Sequence, residues 1–146
     1  MLFRSRLVLA GAALAILSAG GFAAVMPDPH PVEPDWLAPT AAALPAGTPI
    51  LTRIEFGSYL VWAYPRLDAA FNGYADAYTT DELDDIFTLQ DVGDGWQDIV
   101  RRDGFDYALL PDDDALAYNL RLAGWRVLHH YQDVEFLVRP GAPSPG

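Results

Sequence analysis

The stretch from Phe105 to Pro140 reads FDYALLPDDDALAYNLRLAGWRVLHHYQDVEFLVRP, and it decides the fold class. Its first seven residues mix apolar side chains without alternation, which is typical of a strand buried on both faces. From Leu116, apolar residues then recur at i, i+4 and i+7, which predicts a helix that ends at Gly124. Two further apolar runs flank Gln132-Asp133, and so short a connection predicts an antiparallel hairpin.

Upstream, strands and helices alternate in the same way. The runs PILTRI and RLDAAF are predicted strands, and FGSYLVWAY between them is a predicted helix entered through Gly57-Ser58. Thr79 with Glu82, and Asp94 with Gln97, have the spacing of helix caps. The pattern predicts an α/β fold: a small three-layer, mostly parallel sheet with a C-terminal antiparallel hairpin, preceded by one transmembrane helix.

The transmembrane helix is predicted over Leu7–Met26. These 20 residues carry no charge, and a helix of that length spans about 30 Å, the thickness of the hydrocarbon core of a bilayer. Arg4 and Arg6 precede it, so the positive-inside rule places the amino terminus in the cytoplasm and the rest outside. A cleavable signal peptide, with small residues at Gly21 and Ala23, is the alternative, and the domain would then be secreted.

The chain therefore divides into five predicted parts. Residues 1–6 are a cytoplasmic N-terminus and 7–26 cross the cell membrane, with the lipid bilayer as a partner. Residues 27–35 form a Pro-rich linker. Residues 36–140 are the extracytoplasmic α/β domain, opened by a short helix in WLAPTAAALPAG. The tail over 141–146, GAPSPG, is predicted to be disordered.

Composition narrows the function. The 146 residues include 20 acidic and nine basic ones, and all nine are arginines. So acidic a chain repels phosphate backbones, which argues against nucleic acid as a partner. The absence of cysteine excludes disulfides, thiolate nucleophiles and Cys-ligated zinc. No cofactor is predicted.

Two groups of residues could bind a metal. Asp112, Asp113 and Asp114 follow the third strand, where open parallel sheets place their sites, so a divalent-cation site is one interpretation. The other is that one of them caps the next helix and the rest favour its positive end. His129 and His130 are neighbours in a strand, so they point to opposite faces and cannot share one metal ion.

A second candidate site surrounds Asn72-Gly73. This pair is a strong turn signal, but a capped helix follows it, so we predict a loop at the carboxyl end of a strand and no hairpin. Tyr74, Asp76 and Tyr78 follow at once, and Trp62 lies in the preceding helix. Aromatic faces beside a carboxylate suit sugars, so these four residues are the predicted ligand-binding residues.

The chain also resembles a known group of proteins. The segments FGSYLVWAYP, AAFNGYADAYTTDEL, LQDVGDGWQDIVRRDGFDYALLP and ALAYNLRLAGWRVLHHYQDVEFLVRP, in this order over about residues 45–140, are similar to one uncharacterised domain. It is the C-terminal extracytoplasmic domain of multi-pass, many-helix (GT-C-like) glycosyltransferase-type bacterial membrane proteins, often actinobacterial. In that family the second strand usually ends in Asp-Gly-Arg, whereas this chain has Asn72-Gly73-Tyr74. Gly73 and Tyr78 match the family, and the charged pair does not.

The resemblance implies that catalysis resides in the membrane portion of a longer protein. On that basis 7–26 is expected to be the last of its membrane helices, and this chain a fragment. We therefore predict a membrane-anchored extracytoplasmic domain, non-catalytic alone, accessory to a glycosyltransferase-like membrane protein and contacting glycan or lipid-linked sugar. Two alternatives stay open: a free-standing enzyme with a divalent metal at Asp112–Asp114, and a structural or interaction module without a ligand.

Overall fold

The structure is a computed structural model that describes residues 35–145. The predicted transmembrane helix over 7–26 and the linker up to residue 34 lie outside the described residues. Within residues 35–145, no helix is both long and apolar enough to span a bilayer.

Residues 35–145 form five helices and five strands, together with one 3₁₀ turn over Ala75–Ala77. In chain order the elements are α1 (Leu37–Ala43), β1 (Pro49–Thr52), α2 (Ile54–Ala63), β2 (Asp68–Ala69), α3 (Thr80–Asp91), α4 (Trp96–Arg102), β3 (Tyr107–Pro111), α5 (Ala115–Leu122), β4 (Arg126–Tyr131) and β5 (Val134–Val138).

The strands form one mixed sheet in the order β2-β1-β3-β5-β4. β1 pairs in parallel with β2 and β3, whereas β5 pairs antiparallel with both β3 and β4. The predicted α/β class and C-terminal hairpin are confirmed. The sheet is less parallel than predicted, because the returning strand β5 inserts between β3 and β4 and makes half of the pairings antiparallel. Four strands still run in one direction.

Helices cover both faces of the sheet, which gives the domain three layers. Alternation along the strands divides the core: Leu51 and Leu110 face one cluster, and Ile50 and Leu109 face the other. The first cluster receives buried side chains from α3, α4 and α5. The second receives them from α1 and α2, including Leu60.

The predicted boundaries were right where a local motif sets them. Thr79 caps α3 with a full capping box, in which Glu82 bonds back to the Thr79 amide, and Asp114 caps α5 through the amide of Leu116. The Asp94 cap was wrong: Gly95, at φ 88°, is the N-cap of α4 and leaves Asp94 outside the helix. In each correct case the cap and its partner lie within three residues of each other.

Two other predictions need correction. The helix predicted to begin at Gly57-Ser58 begins at Ile54, because Arg53 is extended and acts as its N-cap. β2 has two residues where six were predicted, and so short an edge strand offers little surface for edge-to-edge pairing. Just after β5, the Tyr107 hydroxyl donates a hydrogen bond of 2.8 Å to the Pro143 carbonyl.

Candidate functional site

The loop over residues 71–78 is held against α2. The Ser58 hydroxyl donates to the Asn72 carbonyl at 2.6 Å, and the Asn72 side chain accepts from the Tyr74 amide at 3.1 Å. Gly73 adopts a φ of +82°, which L side chains rarely adopt. The loop therefore leaves the carboxyl end of β2 in a defined conformation, as the sequence predicted.

Three large apolar side chains are exposed on this loop and on α2. Trp62 is 76% exposed and Tyr74 is 66% exposed, and Ile54, which borders Gly73, is 40% exposed. Ile54 and Trp62 lie eight residues apart on α2, which is about 12 Å along a helix. We call Ile54, Trp62 and Tyr74 the aromatic strip. Two of its three members are residues that the sequence predicted as ligand contacts.

Asp76 and Tyr78, the other two predicted contacts, have different surroundings. Asp76 is exposed in the 3₁₀ turn and forms no ion pair with any residue from 35 to 145. Tyr78 turns inward, with its ring 5.7 Å from that of Phe71, and its hydroxyl accepts a 3.2 Å hydrogen bond from the Asn72 amide. Asp76 and Tyr74 are thus both exposed, whereas Tyr78 lies on the inner side of the loop, at the cleft.

The inner side of the loop borders a cleft of about 450 Å³ beside the edge strand β2. Its apolar lining comes from β1, the β2 edge, the 3₁₀ turn, α3 and the segment between α4 and β3: Pro49, Ala69, Ala70, Ala77, Ile86, Leu89 and Phe105. Its polar lining is mainly acidic: Asp68, Glu82, Asp85, Asp103, Arg102, Asn72 and Tyr78. Sequence reasoning missed this cleft, since its lining extends from Pro49 to Phe105, residues that are 56 positions apart.

The polar groups of the cleft largely satisfy one another. Arg102 donates to Asp85 at 2.6 Å and to Asp103 at 2.8 Å, and these carboxylates raise the arginine pKa. Burial raises the pKa of Tyr78 above its usual range, and the nearby Asp68 and Glu82 carboxylates add to the rise although the hydrogen bond from Asn72 opposes it. The Tyr78 hydroxyl is therefore neutral at physiological pH and can donate a hydrogen bond.

The three aspartates predicted as a metal site diverge. Asp114 caps α5 and pairs with Arg53, whereas Asp112 pairs with His130 at 2.9 Å. Asp113 is exposed and forms no ion pair with the rest of residues 35–145. Over that same range no group of three or more His, Asp or Glu side chains is placed to hold a metal ion. The capping interpretation of the sequence accounts for Asp114.

The Arg53–Asp114 pair occupies the place where α/β sheets commonly bind ligands. β1 and β3 are neighbours, and the helices that follow them, α2 and α5, cover opposite faces of the sheet. Ligands bind at such a switch point, beyond the carboxyl ends of the strands. Here Nε and Nη2 of Arg53 both donate to the Asp114 carboxylate, and Nη2 also donates to the Gln90 carbonyl at 2.9 Å. The crevice is thus filled by the chain's own side chains.

A second ion pair, whose carboxylate is buried and whose arginine is partly exposed, lies at the same end of the sheet. Glu135 of β5 is 2% exposed and bonds Arg121 of α5, which also donates to the Asp112 carbonyl at 3.2 Å. Burial raises the pKa of Glu135, while Arg121 opposes the rise. Sequence reasoning missed this pair. A glutamate in the middle of an apolar strand was the available signal, because a buried carboxylate needs a partner.

This pair yields a pH-dependent prediction for Arg121→Met. A raised folded-state pKa means that the Glu135 carboxyl favours folding below about pH 4.5 and loses that contribution as the pH rises through its folded pKa. Removing Arg121 raises that pKa further. We expect the variant to lose about 1–3 kcal/mol of unfolding free energy at pH 7.5, and much less at pH 4.5, by urea denaturation.

Arg101→Met is the matched control, because Arg101 pairs with Asp98 where both side chains are at least 70% exposed. Such exposed pairs contribute little, so we expect a change below about 0.5 kcal/mol at either pH. Equal destabilisation of Arg121→Met at both pH values would contradict the assignment of Glu135 as its charged partner.

His129 and His130 project to different sides of β4, as predicted. His129 stacks on Trp36 at a centroid distance of 4.8 Å and an interplanar angle of 8°, and it contacts Thr40 of α1. His130 pairs with Asp112. His129 therefore joins α1 to the sheet, and the two rings contact different partners.

The fold and the site together define a small three-layer α/β domain with an aromatic strip outside its 71–78 loop and an acidic cleft inside it. The chain matches no known family model, no curated protein and no solved structure.

Proposed function

We propose that this chain is a membrane-anchored extracytoplasmic domain, non-catalytic alone, that contacts a glycan or lipid-linked sugar through the aromatic strip. It would act as an accessory to a glycosyltransferase-like membrane protein. The exposure of Trp62 on α2, and of Tyr74 two residues before the exposed Asp76, is the observation that carries the proposal.

The physical argument concerns the exposed rings. Folding leaves Trp62 and Tyr74 largely in water, so neither is there to fill the core. Trp and Tyr combine a large apolar ring with one polar N–H or O–H group, which fits them for surfaces that become buried on binding. Both residue types are enriched among those that contribute most of the binding free energy. In this proposal, the face of an aromatic ring packs on the C–H face of a pyranose. The Asp76 carboxylate accepts hydrogen bonds from the hydroxyls of the sugar.

The polar clusters of the domain support a binding role over a catalytic one. At the switch point, Arg53 and Asp114 are bonded to each other and to the backbone. At the second cluster, the carboxylate of Glu135 is buried and paired. A general acid or base must lie within reach of a substrate proton. The carboxylates of Asp114 and Glu135 are instead each bonded to an arginine of the domain.

The test measures sugar binding by the full chain. We expect Trp62→Ala and Tyr74→Ala each to weaken binding to a glycan-array ligand by about tenfold or more, because truncating an aromatic anchor costs about 2 kcal/mol. Phe87→Ala and Tyr118→Ala are matched controls. These rings are 54% and 56% exposed, on helices that cover the other face of the sheet, and their removal should leave binding unchanged.

Each alternative function has its own outcome. No glycan binding by the full chain, with normal folding, would favour the interaction module. Heat on titration with calcium, magnesium or manganese, abolished by Asp112→Ala, would favour the metal enzyme. Glycan binding that survives loss of both Trp62 and Tyr74 would place the sugar elsewhere, with the inner cleft as the next surface to test.

A further inference from the structure

The cleft beside β2 shares no lining residue with the aromatic strip, so its ligand is a separate question from the proposed function. Its volume of about 450 Å³ falls within the range of ligand sites, roughly 300–1,000 Å³. Within residues 35–145, β2 is an edge strand of the sheet, and α3 supplies much of the remaining lining. The cleft therefore lies between a free edge of the sheet and a helix.

The main chain of Ala69 faces this cleft. On the β1 side of β2, the Asp68 amide donates to the Thr48 carbonyl at 3.0 Å. The Ala70 amide donates to the Ile50 carbonyl at 2.9 Å. Because alternate residues of a parallel strand bond to the same neighbour, the N–H and C=O of Ala69 point away from β1, to the free edge. Ala69 lines the cleft although its side chain packs with Ile50 in the core cluster of α1 and α2, so its backbone makes up that lining.

These two backbone groups match one residue of an extended peptide. The N–H donates to a carbonyl of the ligand and the C=O accepts from an amide of the ligand, as when a peptide adds to the edge of a sheet. β2 has only two residues, so this pairing ends after one residue of the ligand and does not extend the sheet. Side chains around Ala69 must supply the rest of the affinity.

The charges of the cleft favour a cationic ligand. Four carboxylates and one arginine line it, which leaves three net negative charges. Arg102 pairs with both Asp85 and Asp103. Asp68 and Glu82 are exposed, and neither forms an ion pair within residues 35–145. Their two carboxylates are therefore the groups that attract a positive charge.

Asp68 and Glu82 also lie around one point of the cleft, the Tyr78 hydroxyl. Burial raises the pKa of this hydroxyl, and the charges of both carboxylates add to the rise, so each of them is close enough to act on it. Three hydrogen-bond acceptors from separate elements thus surround one position. A lysine ammonium carries three donors on a compact charge and suits that arrangement, whereas the guanidinium of arginine is a planar fork.

The apolar part of the lining suits the stem of the same side chain. Ile86 and Leu89 of α3, and Phe105 before β3, are buried residues that border the cleft. Lysine packs its methylene groups on such apolar surface and keeps its ammonium group in polar surroundings.

We infer that the cleft binds a lysine residue of an extended peptide. The backbone of that residue pairs with Ala69, its stem packs on Ile86 and Leu89, and its ammonium group lies at Asp68 and Glu82. The partner is thus a protein or peptide with an exposed lysine in an extended segment.

The experiment titrates the full chain by calorimetry with acetyl-Ala-Lys-Ala-amide and with its norleucine analogue, which keeps a four-carbon side chain without the charge. We expect the lysine peptide to bind at least about tenfold more tightly in 20 mM NaCl, and to lose about threefold or more in 500 mM NaCl because the charge pairs are screened. Equal affinities for the two peptides would overturn the inference.

Asp68→Asn/Glu82→Gln should weaken binding of the lysine peptide by about fivefold. Glutamine still completes the capping box of α3, so the fold is retained. Asp84→Asn/Asp91→Asn is the matched control, because it removes two exposed carboxylates of α3 that do not line the cleft, and it should change the affinity by less than about twofold. An equal loss in the control variant would contradict the assigned position of the ammonium group.

A free diamine tests the role of the backbone. 1,5-Diaminopentane has the charge and the stem but no peptide groups, so we expect it to bind about tenfold more weakly than the lysine peptide. Equal affinity would overturn the assignment of a peptide ligand.

The glycan and peptide titrations separate the two proposals. Trp62→Ala and Tyr74→Ala should leave binding of the lysine peptide unchanged, since neither side chain lines the cleft. No binding of the lysine peptide by the folded chain would overturn this inference and leave the proposed function standing. Peptide binding without glycan binding would overturn the proposed function alone.

Discussion

Gly57→Ala is expected to lower the free energy of unfolding by about 2–4 kcal/mol, although alanine is the better helix former by about 1 kcal/mol. Gly57 lies in the first turn of α2 and is buried against the loop after β2. A Cβ at this position would meet the Phe71 carbonyl oxygen at 1.7 Å and the Thr52 hydroxyl at 2.9 Å. Because the first of these is a backbone atom, the helix and the loop must move apart.

That separation would also affect the candidate site. The same contact surface carries the hydrogen bond from Ser58 to the Asn72 carbonyl, which fixes the loop that bears Tyr74. We therefore expect Gly57→Ala to weaken glycan binding as well as stability. Urea denaturation monitored by tryptophan fluorescence measures the stability change, and the glycan titration measures the second effect.

Gly93→Ala is the control for this substitution. A Cβ there would make only ordinary contacts, the nearest at 3.5 Å to Thr88, so we expect a change within about 0.5 kcal/mol. A Gly57→Ala variant as stable as the parent chain would mean that α2 does not pack on the 71–78 loop at the distance described.

The amino-acid sequence predicted those features of the fold that depend on near neighbours. The capping box at Thr79 and Glu82 needs only two residues three apart, and the hairpin needs only the short connection at Gln132. The length of β2 depends on its position at the edge of the sheet, and the insertion of β5 between β3 and β4 depends on long-range pairing. Neither feature follows from local spacing. The predicted sheet was too parallel because the position of β5 was not predicted.

For the candidate site, too, the sequence predicted what lies within one short segment and not what depends on long-range contacts. Tyr74 and Asp76 share one short exposed segment, and the rule that sites lie at strand carboxyl ends was enough to select it. The partner of Asp114 was not predictable, because Arg53 lies 61 residues away and comes next to it only when β1 and β3 pair. The sequence of three consecutive aspartates is the same whether they bind a metal ion or pair with an arginine, so the sequence could not distinguish these two roles.

Asp114→Ala is expected to be the most destabilising change among the three consecutive aspartates, at about 3–5 kcal/mol. The variant loses the N-cap of α5, worth about 1 kcal/mol, and leaves Arg53 without its carboxylate partner. Water cannot readily replace that partner, because the Asp114 and Arg53 side chains are only 8% and 16% exposed. Chemical denaturation near neutral pH is the measurement.

Asp114→Asn separates the two contributions. Asparagine caps helices as well as aspartate does, so this variant retains the cap of α5 and loses only the charge that Arg53 needs. We expect its stability to fall between those of the parent chain and Asp114→Ala. If the two variants were equally destabilised, the ion pair would account for the whole loss.

The neighbouring aspartates decide between a structural and a metal-binding role for the cluster. Asp113 is exposed, so Asp113→Ala should change stability by less than about 0.5 kcal/mol, and Asp112→Ala should lose no more than about 1 kcal/mol from its exposed pair with His130. A metal site would behave differently, since divalent cations would stabilise the parent chain and each of the three substitutions would abolish that gain. If the cluster is structural, the large loss of unfolding free energy is confined to the Asp114 variants, and added cations do not stabilise the parent chain. That result would assign Asp114 as the ion-pair partner of Arg53.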